Sequence, residues 1–276
     1  MPEKTLKRMV KETEEKITVE SQKIEYADAH CHLDMIKDSN LIDQAISYGV
    51  LTMVSNGVNT ATNRRTLELC DKRRIFAALG IDPESAVKIP DDDLDSEIEA
   101  NIAMIKKHID KVVSVGEIGL DYTKAQTFEL VAKQKTVFER FLDAAKELKL
   151  PVSVHSRNSM DEVLKMLEEH KMEKVHLHFF EGNVAQAKAA ERMGYMISIP
   201  PIESSKRRLV IKDIGIDHLM AESDAPAVGA TPRDVEISVR MIAETKHITV
   251  PRAAEALTLN TKKFFNLQTK IGFMRG

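Results

Sequence analysis

The stretch Tyr26-Ala27-Asp28-Ala29-His30-Cys31-His32-Leu33-Asp34 carries two histidines two residues apart where a short apolar run ends. Alternate residues of a strand project to the same side and imidazole is the commonest metal ligand, so His30 and His32 read as half of a metal site. Alone, the pair is equally well explained as a surface accident or a hydrogen-bonded polar pair. Later apolar runs supply further candidates: Glu117 in Gly116-Glu117-Ile118-Gly119, His155 after Val152-Ser153-Val154, His178 in Val175-His176-Leu177-His178, and Asp224 in Glu222-Ser223-Asp224. Each has a structural alternative. Glu117 could cap a turn and Asp224, before Ala225-Pro226, could initiate one, while His155 and His178 could be core histidines bonded to backbone. His176 reads as a core residue or a support for a ligand rather than as a ligand itself.

The elements that must position these residues follow a regular rhythm. An alternation from Ile24 leads into His30, and short β-type runs recur at 50–54, 75–79, 111–115, 152–154, 175–180, 195–199 and 218–221. Helical patterns separate them, at 40–48, 63–73, from the Asp91-Asp92-Asp93 caps through Ile105, and over a long segment carrying Phe128, Val131, Phe138, Phe141, Leu142, Ala145 and Leu148 near one face. Further helices are expected around Leu164, at 183–192, at 234–245 and at 250–265. Eight strands alternating with eight or more helices predict an α/β fold, most economically a (β/α)8 TIM barrel of the metallo-dependent hydrolase type. An open doubly wound sheet is the rival, but no Gly-x-Gly-x-x-Gly follows the first strand and no Walker A lysine motif is present. Residues 1–23 pattern as a charged amphipathic helical extension, and 24–276 as a single barrel domain.

In such a barrel, chemistry is built at the C-terminal ends of the strands. Five strand ends there carry His, Glu or Asp, and four of the nine histidines fall among them, which a purely structural barrel does not require. Four imidazoles and two carboxylates suit two divalent ions bridged by Glu117. The nitrogen ligands favour zinc, and the carboxylates admit Mn²⁺ or Mg²⁺. Water at such a site has its pKa lowered from ~15.7 towards ~7, so the expected chemistry is hydrolysis.

Composition narrows the setting. With 40 basic and 43 acidic residues the formal charge is -3, which argues against a protein that holds nucleic acid through a general basic surface. Basic clusters at Arg64-Arg65, Lys72-Arg73-Arg74 and Lys206-Arg207-Arg208 read as solvated helical faces or, alternatively, as aids in holding a phosphate chain. Two cysteines, Cys31 and Cys70, are too few for a disulfide framework. The first 20 residues lack the apolar core of a signal peptide, and no run approaches the ~18–20 apolar residues of a membrane span. A cytoplasmic protein with no membrane contact and no evident obligate protein partner is expected.

Taken in order, the stretches beginning Asp28-Ala29-His30, Gly116-Glu117-Ile118-Gly119-Leu120-Asp121-Tyr122, Leu150-Pro151-Val152-Ser153-Val154-His155-Ser156-Arg157, Leu177-His178-Phe179-Phe180-Glu181-Gly182 and Glu222-Ser223-Asp224-Ala225-Pro226 resemble the motifs of TatD-related metal-dependent deoxyribonucleases of the amidohydrolase superfamily. The resemblance runs from about Tyr26 to Leu267. It implies two metals, one among His30, His32, Glu117 and Asp224, the other among Glu117, His155 and His178. It implies a DNA substrate, cleaved at phosphodiester bonds and often from a 3′ end, by a metal-activated hydroxide that Asp224 orients and deprotonates, with Asp224 and Glu117 as the catalytic carboxylates. Arg157 is a candidate phosphate contact or a structural ion-pair former. The chain departs from the family at Gly80-Ile81-Asp82-Pro83, where a histidine is usual; Asp82 adds negative charge beside the substrate. The loop at 227–233 is also shortened. Asp82 and the acidic net charge support an alternative amidohydrolase or lactonase acting on a small ester or amide. A non-enzymatic metal- or partner-binding protein is a second alternative, which the full ligand complement disfavours.

Overall fold

The computed structural model describes residues 24–267, so the helix expected over 1–23 lies outside the described residues. Strands β1 (Tyr26–Cys31), β2 (Val50–Asn56), β3 (Ile75–Leu79), β4 (Val112–Asp121), β5 (Val152–Arg157), β6 (Val175–Leu177), β7 (Met196–Ile199) and β8 (Leu219–Ala221) pair in sequence order, every pair parallel. The helices are α1 (Asn40–Tyr48), α2 (Thr60–Leu69), α3 (Pro83–Lys88), α4 (Leu94–Lys107), α5 (Phe128–Leu148), α6 (Met160–Glu169), α7 (Val184–Arg192), α8 (Ser205–Asp213), α9 (Val235–Lys246) and α10 (Val250–Phe264). This is the (β/α)8 barrel expected from the strand and helix rhythm.

The seam between the last and first strands is closed just beyond β8. Asp224 N–H donates to the His30 carbonyl at 3.0 Å, and His32 N–H to that of Ala225 at 2.7 Å. The buried Asp28 carboxylate reinforces it by accepting from both the backbone N–H and the hydroxyl of Ser223. Thus the two ends of the barrel sequence meet at the candidate ligands.

Alternation along the strands stacks the interior. An apolar layer of Val54, Ala78, Met196 and Met220 packs with Phe265 and Leu267 from the chain following α10. Ser198, two residues beyond Met196, forms a polar layer with Ser153 and His176, the His176 ring lying edge-on to Phe265 at 5.9 Å between centroids. Two residues beyond Ser153 and His176 stand His155, on the same face of β5, and His178, just past β6. A second apolar zone, including Leu79, Ile98, Phe138, Phe141, Val154 and Leu177, fills the space between strands and helices.

Several local features differ from the sequence reading. α2 runs from Thr60, capped by Asn59, and stops at Leu69, so Lys72-Arg73-Arg74 lies in a turn instead of a helix, its N–H groups gathered by the Asp71 carboxylate. α3 was not anticipated; Asp82 caps it and Pro83 occupies its first position. β6 ends at Leu177, leaving His178 just past the strand. Phe128, assigned to the buried face of α5, is 84% exposed at its start.

Gly119 is required where β4 meets β5. Its φ is +139°, and a Cβ there would stand 2.1 Å from the His155 carbonyl oxygen. Gly119→Ala is expected to cost roughly 3 kcal/mol or more and to displace His155; an unchanged urea midpoint would contradict this close approach.

Candidate metal centre

Six side chains from five strand ends converge at the C-terminal end of the barrel, where five of them line a cavity of about 760 Å³ and His30 is buried beneath it. Glu117, on β4 and 4% exposed, is at its centre. Its Oε2 lies 3.4 Å from the Nε2 atoms of both His30 and His32, which are 3.3 Å from each other. Asp224 Oδ1 joins this group at 3.3 Å from His32 Nε2 and 3.9 Å from His30 Nε2. Glu117 Oε1 faces the other way, 3.0 Å from His155 Nδ1 and 3.1 Å from His178 Nε2, with those two nitrogens 3.2 Å apart. One carboxylate therefore has one oxygen in each of two histidine clusters.

The donor set fits divalent cations. Asp224 Oδ1 is buried with no hydrogen-bond donor, an arrangement a bound cation would satisfy. His32, His155 and His30 also turn their outer nitrogens towards polar groups, as metal-ligating histidines do, whereas the outer nitrogen of His178 has no hydrogen-bond partner. His32 Nδ1 is 2.8 Å from the Asn56 carbonyl, which can only accept, so His32 Nε2 presents its lone pair inward when the ring is neutral. His155 Nε2 lies 3.4 Å from Asp121 Oδ2, and His178 Nδ1 lies 4.0 Å from Glu222 Oε2.

His30 is held less directly. Its Nδ1 is 3.3 Å from Ser153 Oγ, which is 3.1 Å from His176 Nδ1; His176 Nε2 is 2.7 Å from Ser198 Oγ, and that hydroxyl donates to Glu222 Oε2. The other Glu222 oxygen accepts the Phe179 N–H at 2.7 Å. The polarity of this chain follows the Glu222 proton: burial favours the neutral acid, which can donate to Ser198 and reverse every link, whereas the ionised form gives the following order. Ser198 donates to Glu222 and accepts from His176 Nε2–H, His176 Nδ1 accepts from Ser153, and Ser153 accepts from His30 Nδ1–H. His30 Nε2 is then bare and faces Glu117. A third possible cation group, His30, His178 and Glu222, is weaker because both Glu222 oxygens already accept hydrogen bonds.

Charge in the cluster is unbalanced without a cation. Burial alone would lower the His32 and His155 pKa values, but hydrogen bonds and charge from Asp224, Glu117 and Asp121 overcome it and raise both to about 10. His30, with desolvation dominant and His178 beside it, falls to about 3. Burial opposes ionisation of Glu117, yet the surrounding histidines hold it well below the usual range. Burial and the Asp224 charge push Glu222 well above its own. For His32 and His155 the folded pKa exceeds the unfolded value of 6.5. Their contribution to metal-free stability is therefore full below that pH and lost as pH rises through about 10. The same protons compete with cations, so metal affinity should climb with pH as metal-free stability falls. Affinity that stays flat in metal titrations between pH ~6.5 and ~9 would contradict this competition.

Arg157 is exposed on the wall of this cavity together with Lys124. Asp82 is on the same wall, but its carboxylate accepts from the N–H groups of Glu84 and Ser85. Burial raises its pKa, with Glu117 adding to the effect. Sequence reasoning missed the outer groups Asp121, Ser153, Ser198 and Glu222; the Ser153-x-His155 and His176-x-His178 spacings were the available signal. Cys31 and Cys70 are buried and unpaired. Among the described residues, no helix is long and apolar enough to cross a membrane.

Comparison with known proteins gives a consistent grouping. A family model described as TatD related DNase matches residues 27–266. Deoxyribonuclease TATDN3 of Homo sapiens is 31% identical over 258 residues, covering 86% of this chain and 93% of that protein. The metal-dependent hydrolase YabD of Bacillus subtilis is 30% identical over 259 residues, covering 87% and 98% respectively. The crystal structure of YJJV, a TatD homologue from Escherichia coli, superposes with a TM-score of 0.77 at 27% identity, over 88% of this chain and 98% of that one.

Proposed function

We propose that this chain, which belongs to the TatD-related DNase family and is a metal-dependent hydrolase, cleaves phosphodiester bonds of DNA, working from a 3′ end. The observation that carries this reading is Glu117, one oxygen in each of two histidine clusters at the floor of an open cavity whose wall carries Arg157 and Lys124. We infer two divalent cations, one held by His30, His32, Glu117 and Asp224, the other by Glu117, His155 and His178. The imidazoles suit Zn²⁺, while the carboxylate share admits Mn²⁺ or Mg²⁺.

When bound, divalent cations at such a centre make water nucleophilic at neutral pH and draw charge from a phosphoryl oxygen. The chain's own residues supply the rest. The Asp224 carboxylate, beside His32 and His30, would accept a proton from the attacking water. Glu117 keeps its charge between the clusters, and Arg157 is available to hold a non-bridging phosphate oxygen. Asp121 faces the outer nitrogen of His155 at 3.4 Å and orients that ring. Asp82 favoured a small ester or amide on sequence grounds, but its carboxylate is engaged with the first turn of α3, which offsets its charge at the substrate.

The test is to incubate metal-loaded protein with end-labelled single-stranded and duplex DNA and, in parallel, with a panel of small esters, lactones and amides. Stepwise shortening from the 3′ end is expected. Turnover of a lactone or amide with DNA left intact would replace this reading with the alternative.

A further inference from the structure

A second cavity, of about 700 Å³, adjoins the candidate metal cavity and shares Ser156, Glu181 and Ile202 with its wall. Arg207, on the first turn of α8, contributes to the wall of this second space and is 8% exposed. Its Nη1 donates to the Ile202 carbonyl, while its buried Nε has no partner. Among the described residues no carboxylate forms an ion pair with it, whereas the adjacent Arg208 pairs with both Glu203 and Glu244. Burial lowers the Arg207 pKa despite the opposing charges of Glu222, Glu181 and Glu203, none of which reaches it as an ion pair. A buried guanidinium that no carboxylate pairs with directly, and whose Nε has no acceptor, leaves donor capacity that an anion from outside the chain would use.

The surroundings specify the kind of anion. The guanidinium is 5.6 Å from the centre of the Phe179 ring, and Phe179 follows His178 and lines the metal cavity. Ser204 caps α8 and accepts the Arg207 N–H at 3.1 Å, so the positive end of the helix dipole reaches the same wall. Two carboxylates on that wall are already engaged: Asp161 accepts from Gln186, and Glu162 pairs with Lys135 at 2.6 Å. Glu181 is exposed where the two cavities meet.

We propose that this second cavity binds a further phosphate group of the substrate, held by the Arg207 guanidinium and the first turn of α8. The proposal rests on the phosphodiesterase reading: the scissile phosphate occupies the metal cavity, and the neighbouring phosphate of the same chain occupies the Arg207 cavity. Arg207 is here a residue that selects for length of the phosphate backbone.

The test uses metal-loaded protein and calorimetry with a dithymidine probe whose internucleotide link is an uncleavable methylphosphonate, with or without a terminal phosphate at its 5′ or 3′ end. One terminal phosphate should tighten binding ~10- to 100-fold. That gain should vanish in Arg207→Met, return in part in Arg207→Lys and grow in Glu181→Gln. Because methionine removes an unpaired buried charge, the Arg207→Met melting temperature should be unchanged or higher. A gain that survives in Arg207→Met would place the phosphate on the metal ligands and overturn the proposal, as would a lowered melting temperature with phosphate binding intact. Inorganic phosphate binding as tightly as the phosphorylated probe, and through Arg207, would mark an ion site unconnected with substrate and also overturn it. Since nothing is cleaved, missing nuclease activity would count against the phosphodiesterase reading, while the affinities decide the Arg207 assignment.

Discussion

Asp224→Asn should lower kcat by ~10²- to 10⁴-fold with little change in KM, the loss expected when a positioned proton acceptor is removed. Asparagine is the informative replacement because Asp224 has a φ of +49°, a conformation that Asn tolerates and most other residues do not. The backbone bond from Asp224 N–H to the His30 carbonyl should survive, keeping the seam closed. Metal content should fall less than activity, since His30, His32 and Glu117 remain. Near-normal kcat in a folded, metal-loaded variant would remove Asp224 from the chemistry and leave it a structural role at the strand end.

Glu117→Gln should be the more damaging change for metal binding, because the two oxygens of one residue serve both histidine clusters. An amide would direct either its NH₂ or its uncharged oxygen at nitrogens now 3.0–3.4 Å from a carboxylate. Removing one partner from a buried charged set costs about 3–5 kcal/mol, or ~10²- to 10⁴-fold in affinity. The expected result is that metal analysis after dialysis shows both equivalents depleted, whereas His178→Ala depletes one. If Glu117→Gln retains one full equivalent, the clusters are independent and the bridging role is wrong.

The candidate ligands were legible in sequence because they depend on a local property, the residue type at the end of an apolar run. His30, His32, Glu117, His155, His178 and Asp224 needed no knowledge of which strands are neighbours. The outer network did. Ser153, His176, Ser198 and Glu222 become a connected path only when β5, β6, β7 and β8 pair in register, and a serine within an apolar run carries no signal of its own. α3 escaped for another reason: six residues are too few for periodicity, although the Asp82-Pro83 start was present. The turn at Lys72-Arg73-Arg74 was hidden by its charge, which suits an exposed helix as well as a loop. Arg207 was read as part of a solvated basic run; only packing against Phe179 and Ile202 distinguishes it from Arg208.

The clasp at the seam has a consequence for the chain during synthesis. His30 and His32 leave the ribosome early, but Asp224 and the Ser223 partner of Asp28 arrive only after β8. A nascent chain therefore carries histidines without the carboxylate that completes their cluster, and a cation captured then is held by a partial set. Once the last strand docks, the same cation ties together segments from opposite ends of the barrel, where loop-closure entropy is greatest. Metal uptake should consequently act as a rivet for the whole ring, slowing its opening at the seam more than the fraying of any single helix.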